Sequence, residues 1–150
     1  MAQDLFPVFD IPGTITEDEQ EAQKFLPAPL WDFETGDFVM NGSRQMIYGS
    51  GHDAWILWCT KTIQTQRWAY MAYSSNTGIE AAEAFREPDR RAQESAIERT
   101  ITEALLADPM GRTQQVRDFQ FSWLADSVNI SCDIYGVEGN SASIQTAIKI

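Results

Sequence analysis

In its last third the chain alternates apolar and polar side chains with a period of two. Phe119, Phe121 and Trp123 fall on one face of a first strand. Val128, Ile130, Cys132 and Ile134 share a face of a second, and Ile144, Thr146, Ile148 and Ile150 share a face of a third. Turn-forming residues divide the strands at Ala125-Asp126-Ser127 and between Gly136 and Asn140. Successive strand side chains point to opposite faces, so the pattern predicts a three-strand antiparallel meander with one apolar side. Upstream the period becomes helical. Trp55, Cys59 and Ile63 stand at i, i+4 and i+8 with Trp58 beside them, behind Ser50 and Asp53 at capping-box spacing. An aromatic stripe at that spacing reads as a core face before it reads as a cofactor site.

The stretch "FREPDRRAQESAIERTITEALLADPMGR" (85–112) reads as one helix, entered at Glu-Pro-Asp and left at Asp-Pro. Pro88 suits the first helical position, where its missing N–H costs nothing, and Pro109 stops the helix. Ala92, Ala96, Ile97, Ile101, Ala104 and Leu105 make an inward stripe, and seven charged residues between Asp89 and Glu103 make the outer face. Arg90 with Glu94, Arg99 with Glu103, and Glu87 with Arg91 are spaced for i, i+4 pairing, so this face reads as mostly solvated. Before the helices, "WDFETGDFVMNGSRQMIYGSG" predicts short strands with turns at Thr35-Gly36 and Asn41-Gly42-Ser43. "RWAYMAYSS" (67–75) is aromatic enough to predict a strand, and "IEAAEAF" a turn or two of helix. Helices covering one side of an antiparallel sheet make the class α+β. The expected organisation is one domain, 31–150, behind an extended acidic arm, 1–30. In the arm, Leu5, Phe6, Val8 and Phe9 lie among prolines and call for a docking surface, on the arm's own domain or on a neighbour.

The segment "SIQTAIKI" bears on function. Natural sheets blunt an open edge with charge, proline or a bulge, and this strand has one charge, Lys149, and no proline. At an edge it is a template for another chain's strand. In the centre of the sheet, or under the arm, it is not, and sequence order does not fix sheet order.

Charge narrows the partners. The net charge is −11, and residues 1–23 carry six acids and no base, which leaves −5 for the rest. Binding to a nucleic-acid backbone or to anionic lipid needs the opposite sign, so neither nucleic acid nor membrane is expected as a partner. No apolar run approaches the ~20 residues of a membrane span. No basic-then-apolar leader opens the chain, so a cytoplasm-like compartment is expected. An acidic inhibitor that mimics DNA would share this charge, but its acids would line one face, and here they cluster in the arm and one helix. Cys59 and Cys132 lie inside apolar patterns and read as buried free thiols. The lone His52, beside Asp53, reads as solvated. There is no zinc spacing, nucleophile elbow, phosphate loop or His-Glu-x-x-His, so neither cofactor nor enzyme activity is expected. A cell-wall hydrolase is the least favoured alternative, because the helical carboxylates look solvated or Arg-paired, the wrong setting for a raised pKa.

Five segments, "LFPVFDIP", "WDFETGDFVMNG", "AWILWCTKTIQTQRWAYMAYSSNTGIE", "FREPDRRAQESAIERTITEALLADP" and "VRDFQFSW", occur in that order. Together they resemble a baseplate protein family of contractile phage tails and prophage-derived tail particles of Gram-positive hosts. That family is related to the wedge and sheath-initiator protein whose older family name includes "lysozyme", and a cousin sits in the type VI secretion baseplate. The likeness runs from about Leu5 to Ile134. It implies a structural protein of a six-fold baseplate around the tail tube, assembled in the host cytoplasm and resident in a virion or phage-like tail. The implied partners are a larger baseplate wedge protein, the tail sheath protein, and tube or hub proteins. Family members clasp the larger wedge protein through a helix and an acidic-Pro-Arg motif after it, and offer a sheet on which the first sheath ring is laid by strand exchange. The motif falls here on Asp108 and Pro109, and Glu87 at the helix entrance joins the expected wedge contact. Met110 replaces the expected Arg, and an Arg comes only at Arg112, after Gly111. A loop at Gly111 would bring Arg112 to the same place; otherwise Arg112 merely complements the helix dipole. Sheath pairing would fall on Ile144, Gln145, Thr146, Ala147, Ile148, Lys149 and Ile150. The old label carries no activity over, since the sequence has no catalytic pair.

Overall fold

The computed structural model describes residues 24–150. Two short antiparallel ladders come first: β1 (Ala28–Pro29) pairs with β4 (Tyr48–Gly49), and β2 (Trp31–Asp32) with β3 (Asp37–Phe38). The expected turns are there. Gly36 takes a left-handed φ of 70° and donates its N–H to the Asp32 carbonyl, while the Asn41 side chain accepts from the N–H groups of Ser43 and Gln45. The pairing reaches back to Ala28, inside the stretch read as the arm.

Helix α1 (Gly51–Gln64) starts at the expected capping box. The Asp53 N–H donates to the Ser50 hydroxyl at 3.2 Å, and the Ser50 N–H returns to the Asp53 carboxylate at 2.8 Å. Its inward face buries Trp55, Cys59 and Ile63, with Trp58 packed at the margin. Residues 67–75 are turns and bends rather than a strand. Trp68 has a left-handed φ of 62°, and Trp68, Tyr70 and Met71 face solvent. Aromatic propensity makes a strand only where a partner and a buried face exist, and the described residues supply neither to 67–75. Arg67 ties this loop down instead, bonding Glu80 at 2.7 Å and the Gly78 carbonyl at 3.1 Å.

The stretch from Phe85 read as one helix is helical only from Arg90 to Leu106, and the short helix expected at "IEAAEAF" precedes it across a turn. Helix α2 (Ala81–Ala84) ends first, and α3 (Arg90–Leu106) follows. Asp89, in extended backbone, is the N-cap and accepts the Ala92 N–H at 2.9 Å, so Pro88 lies outside the helix. An Asx acceptor at the entrance outweighs proline's preference for the first turn, and the residue before a proline resists helical backbone. The buried stripe of α3 is Ile97, Thr100, Ile101, Ala104 and Leu105; Ala92 and Ala96 are only half-buried. On its outer face, neither Arg90–Glu94 nor Arg99–Glu103 closes to an ion pair among the described residues. Trp123 engages two of these charges: its indole N–H donates to Glu94 at 2.8 Å, and the Arg90 guanidinium sits 5.1 Å over its ring.

The meander forms as expected and the class is α+β. Strands β5 (Thr113–Trp123), β6 (Ser127–Gly136) and β7 (Ser141–Lys149) run antiparallel in the order β5-β6-β7. The register of β5 shifts between Thr113 and Gln115 and again between Arg117 and Gln120, with Asp118 at a φ of 56°. Each bulge inserts a residue and reverses the side-chain parity. Hence Thr113, Val116 and then Phe119, Phe121 and Trp123 face the same apolar side, although the chain does not alternate strictly between them. Against them, Val128, Ile130, Cys132, Ile134 and Ile144 complete one core with α1 and α3.

Candidate functional site

Two surfaces gather the residues singled out by the sequence. The first is the exit of α3. The chain turns back at Gly111, whose φ is 61° and whose N–H donates to the Asp108 carbonyl at 2.9 Å. Arg112 then meets Asp108 as a fork, with Nε donating at 2.8 Å and Nη2 at 3.1 Å. The backbone N–H groups of Arg112 and Met110 donate to the same carboxylate at 3.0 and 3.1 Å. The two side chains are 9% and 0% exposed. The guanidinium lies 5.5 Å over the Trp58 ring, and the next residue, Thr113, accepts the Trp55 indole N–H at 3.0 Å. The clamp therefore welds the helix exit to α1 and β5. Gly111 does loop the chain, and Arg112 is directed at its own Asp108 rather than at the last helical carbonyls.

Pro109 and Met110 are what this exit shows to solvent, Met110 being 45% exposed. Beside them runs a groove of about 340 Å³ lined by Leu26, Ala54, Leu57, Trp58, Met110 and Arg112. Glu87 is not brought to this place. It is exposed and lines a separate polar groove with Glu80, Glu83, Arg99 and Glu103.

The second surface is the free edge of β7. Its ladder with β6 is unbroken over nine residue pairs, and β7 has no neighbour on its other side among the described residues. Among the described residues β7 is thus an edge strand and not a central one. Flanking bonds set the phase: the Gly136 N–H donates to the Asn140 carbonyl at 2.7 Å, and the Ile150 N–H to the Asp126 carbonyl at 3.0 Å. In an antiparallel pair, opposed residues exchange both backbone bonds at every second position. In this register the residues on the β6 side are Ala142, Ile144, Thr146 and Ile148. Ser141, Ser143, Gln145, Ala147 and Lys149 consequently point N–H and C=O outward. By contrast β5, the opposite edge, is bulged twice and carries Arg117 and Asp118, features that discourage pairing. The arm residues Leu5, Phe6, Val8 and Phe9 lie outside the described residues.

The remaining candidates assemble no reactive constellation. His52 is half-buried rather than solvated: its ring stands 5.5 Å from Trp55, and its Nδ1 has no hydrogen-bond partner among the described residues. The first turn of α1 packs on the chain, as Gly51 shows, where an added Cβ would strike the Phe25 backbone. Cys59 and Cys132 are free and buried, and burial pushes their thiols up to about 12 and about 11. No group of His, Cys, Asp or Glu suited to a metal occurs among the described residues, and no helix there is long and apolar enough to cross a membrane. Sequence reasoning missed the Trp123 clasp and Thr100, whose hydroxyl accepts the Glu80 N–H at 2.9 Å. For Trp123 a signal existed, because a half-buried indole N–H at a sheet end needs an acceptor.

A search of curated proteins finds no match to the chain. A family model described as contractile injection system sheath initiator matches residues 29–139. The match runs from β1 through the turn after β6, taking in α1, α3, the Asp108–Arg112 clamp and the two bulges of β5, and it stops short of β7. On that span the chain belongs to the contractile injection system sheath initiator family, structural proteins of the tail's baseplate and sheath.

Proposed function

We propose that the protein is a wedge component of a six-fold baseplate, built in the host cytoplasm, that starts the first sheath ring by pairing β7 with a strand of the sheath protein. The observation that carries this reading is the β7 edge, which is unbulged and nearly uncharged, with the backbone groups of five residues turned outward. Main-chain bonds of an added strand supply affinity without a preformed cavity. The larger wedge protein binds at the exit of α3, over Pro109, Met110 and the groove beside them. The clamp supports this role indirectly: Arg112 and Asp108 hold the exit rigid, and Met110 stands at the surface where the family motif has its Arg. Glu87 would contact the wedge separately, along its own groove. The arm, through Leu5, Phe6, Val8 and Phe9, docks on a neighbouring wedge or hub subunit. The inhibitor and hydrolase readings gain nothing from the geometry, since Arg90, Arg91 and Arg99 interrupt the acids on α3 and Glu94 is engaged by Trp123.

The test is capture of partners by the tagged protein expressed with its neighbouring tail genes. Gln145→Pro removes one outward N–H and leaves the β6 ladder whole, a substitution an edge strand tolerates. It should abolish sheath capture and spare wedge capture. Met110→Asp should do the reverse. If sheath capture survives Gln145→Pro, the strand-pairing reading fails.

A further inference from the structure

Pairing along an edge is indifferent to sequence, because every residue carries the same N–H and C=O. A surface that must accept the sheath strand and refuse others needs side-chain readout as well. Where β7 ends, its apolar face is incompletely covered. Ile144 is 3% exposed, but Ile148 and Phe85 are only partly buried. Beside them lies a groove of about 440 Å³, walled by the last turn of α1, by α2 and by the end of β7. Ile63, Ala82, Phe85, Ile148 and Ile150 supply most of its apolar wall, and Gln64 a polar one.

The position of this groove follows from the edge. An added strand lies about 4.8 Å from β7, and its side chain opposite Ile148 projects to the same side of the sheet as Ile148 itself. That side is the one the groove opens beside. Two residues along, the next inward side chain comes opposite Thr146. There the Gln64 amide donates to the Thr146 hydroxyl at 2.9 Å, which makes the neighbouring wall polar. We propose that this groove reads the incoming sheath strand, accepting a large apolar side chain opposite Ile148 and a small or polar one opposite Thr146. The inference rests on the strand-pairing reading and adds the side-chain rule to it.

The test uses the full-length protein and synthetic ten-residue peptides tiling the sheath protein encoded beside it, with binding followed by fluorescence anisotropy. Ala82 is exposed on a four-residue helix, so Ala82→Trp fills the groove without entering the core. It should weaken the bound peptide about tenfold or more, through lost apolar burial, with an unchanged melting temperature. Within that peptide, replacement by Asp should be damaging at one inward apolar position and tolerated two residues away. If Gln145→Pro abolishes binding while Ala82→Trp binds as wild type, pairing stands and the groove inference falls. If neither variant alters binding, pairing falls and the inference with it. A drop in melting temperature for Ala82→Trp that disappears when residues 2–23 are deleted would put the protein's own arm in the groove and overturn the proposal.

Discussion

Arg112 reaches Asp108 from four residues away, through a glycine in left-handed backbone, and the carboxylate it meets is fully buried. Removing one partner of such a pair leaves an uncompensated charge in the interior. Arg112→Ala is therefore expected to cost about 3–5 kcal/mol of stability in urea unfolding, and the double variant with Asp108→Ala should recover part of it. This matters for function, because an Arg112 variant that loses its partners has lost its fold first; the exposed Met110 is the residue that separates the two effects. The thiols give a second prediction. In the unfolded chain they ionise near 9.0, whereas burial holds them neutral to about 12 at Cys59 and about 11 at Cys132. Above pH 9 the unfolded state sheds protons that the folded state keeps, so stability falls as pH rises through that window. Each thiol contributes a slope of about 1.4 kcal/mol per pH unit, and the Cys59→Ala/Cys132→Ala variant should lack it in unfolding curves taken from pH 8 to 11.

What a sequence declares about its elements depends on whether local and tertiary signals agree. The meander was legible because alternation, turn residues and a shared apolar face all pointed the same way. The capping box at Ser50 was legible because it is closed by residues three apart. The entrance to α3 was not, because Pro88 and Asp89 both favour helix starts and only the backbone decides between them. Asp89 is the one that satisfies an orphan N–H, so Asp89→Ala should destabilise by about 0.5–2 kcal/mol while Pro88→Ala changes little. The bulges of β5 were invisible for a related reason. Nothing local marks Asp118 as a left-handed residue, yet its insertion is what brings Val116 and Phe121 to one face. Residues 67–75 show the opposite failure, a strong local preference with no surface among the described residues to bury against.

At the scale of the whole molecule, two of the proposed interfaces, the β7 edge and the arm, differ in kind. The β7 edge offers backbone groups and an apolar groove, with Lys149 as its one charge. Residues 1–23 of the arm hold more than half of the net charge, −6 of −11. Sequence alone separated these regions by composition, but could not say which strand is an edge; that came from the sheet order. Salt should tell the interfaces apart. Raising sodium chloride from about 0.1 M to about 1 M shortens the screening length from about 10 Å to about 3 Å, which weakens contacts between exposed charges and leaves backbone bonds and apolar burial intact. Capture of the sheath is then expected to survive the higher salt, and incorporation into baseplates to fall. Deleting residues 2–23 should remove the salt-sensitive part, reducing incorporation at low salt with the melting temperature nearly unchanged. A large drop in melting temperature on that deletion would instead put the arm on its own domain. Loss of the sheath at high salt would show that charge, and not the β7 edge, holds it.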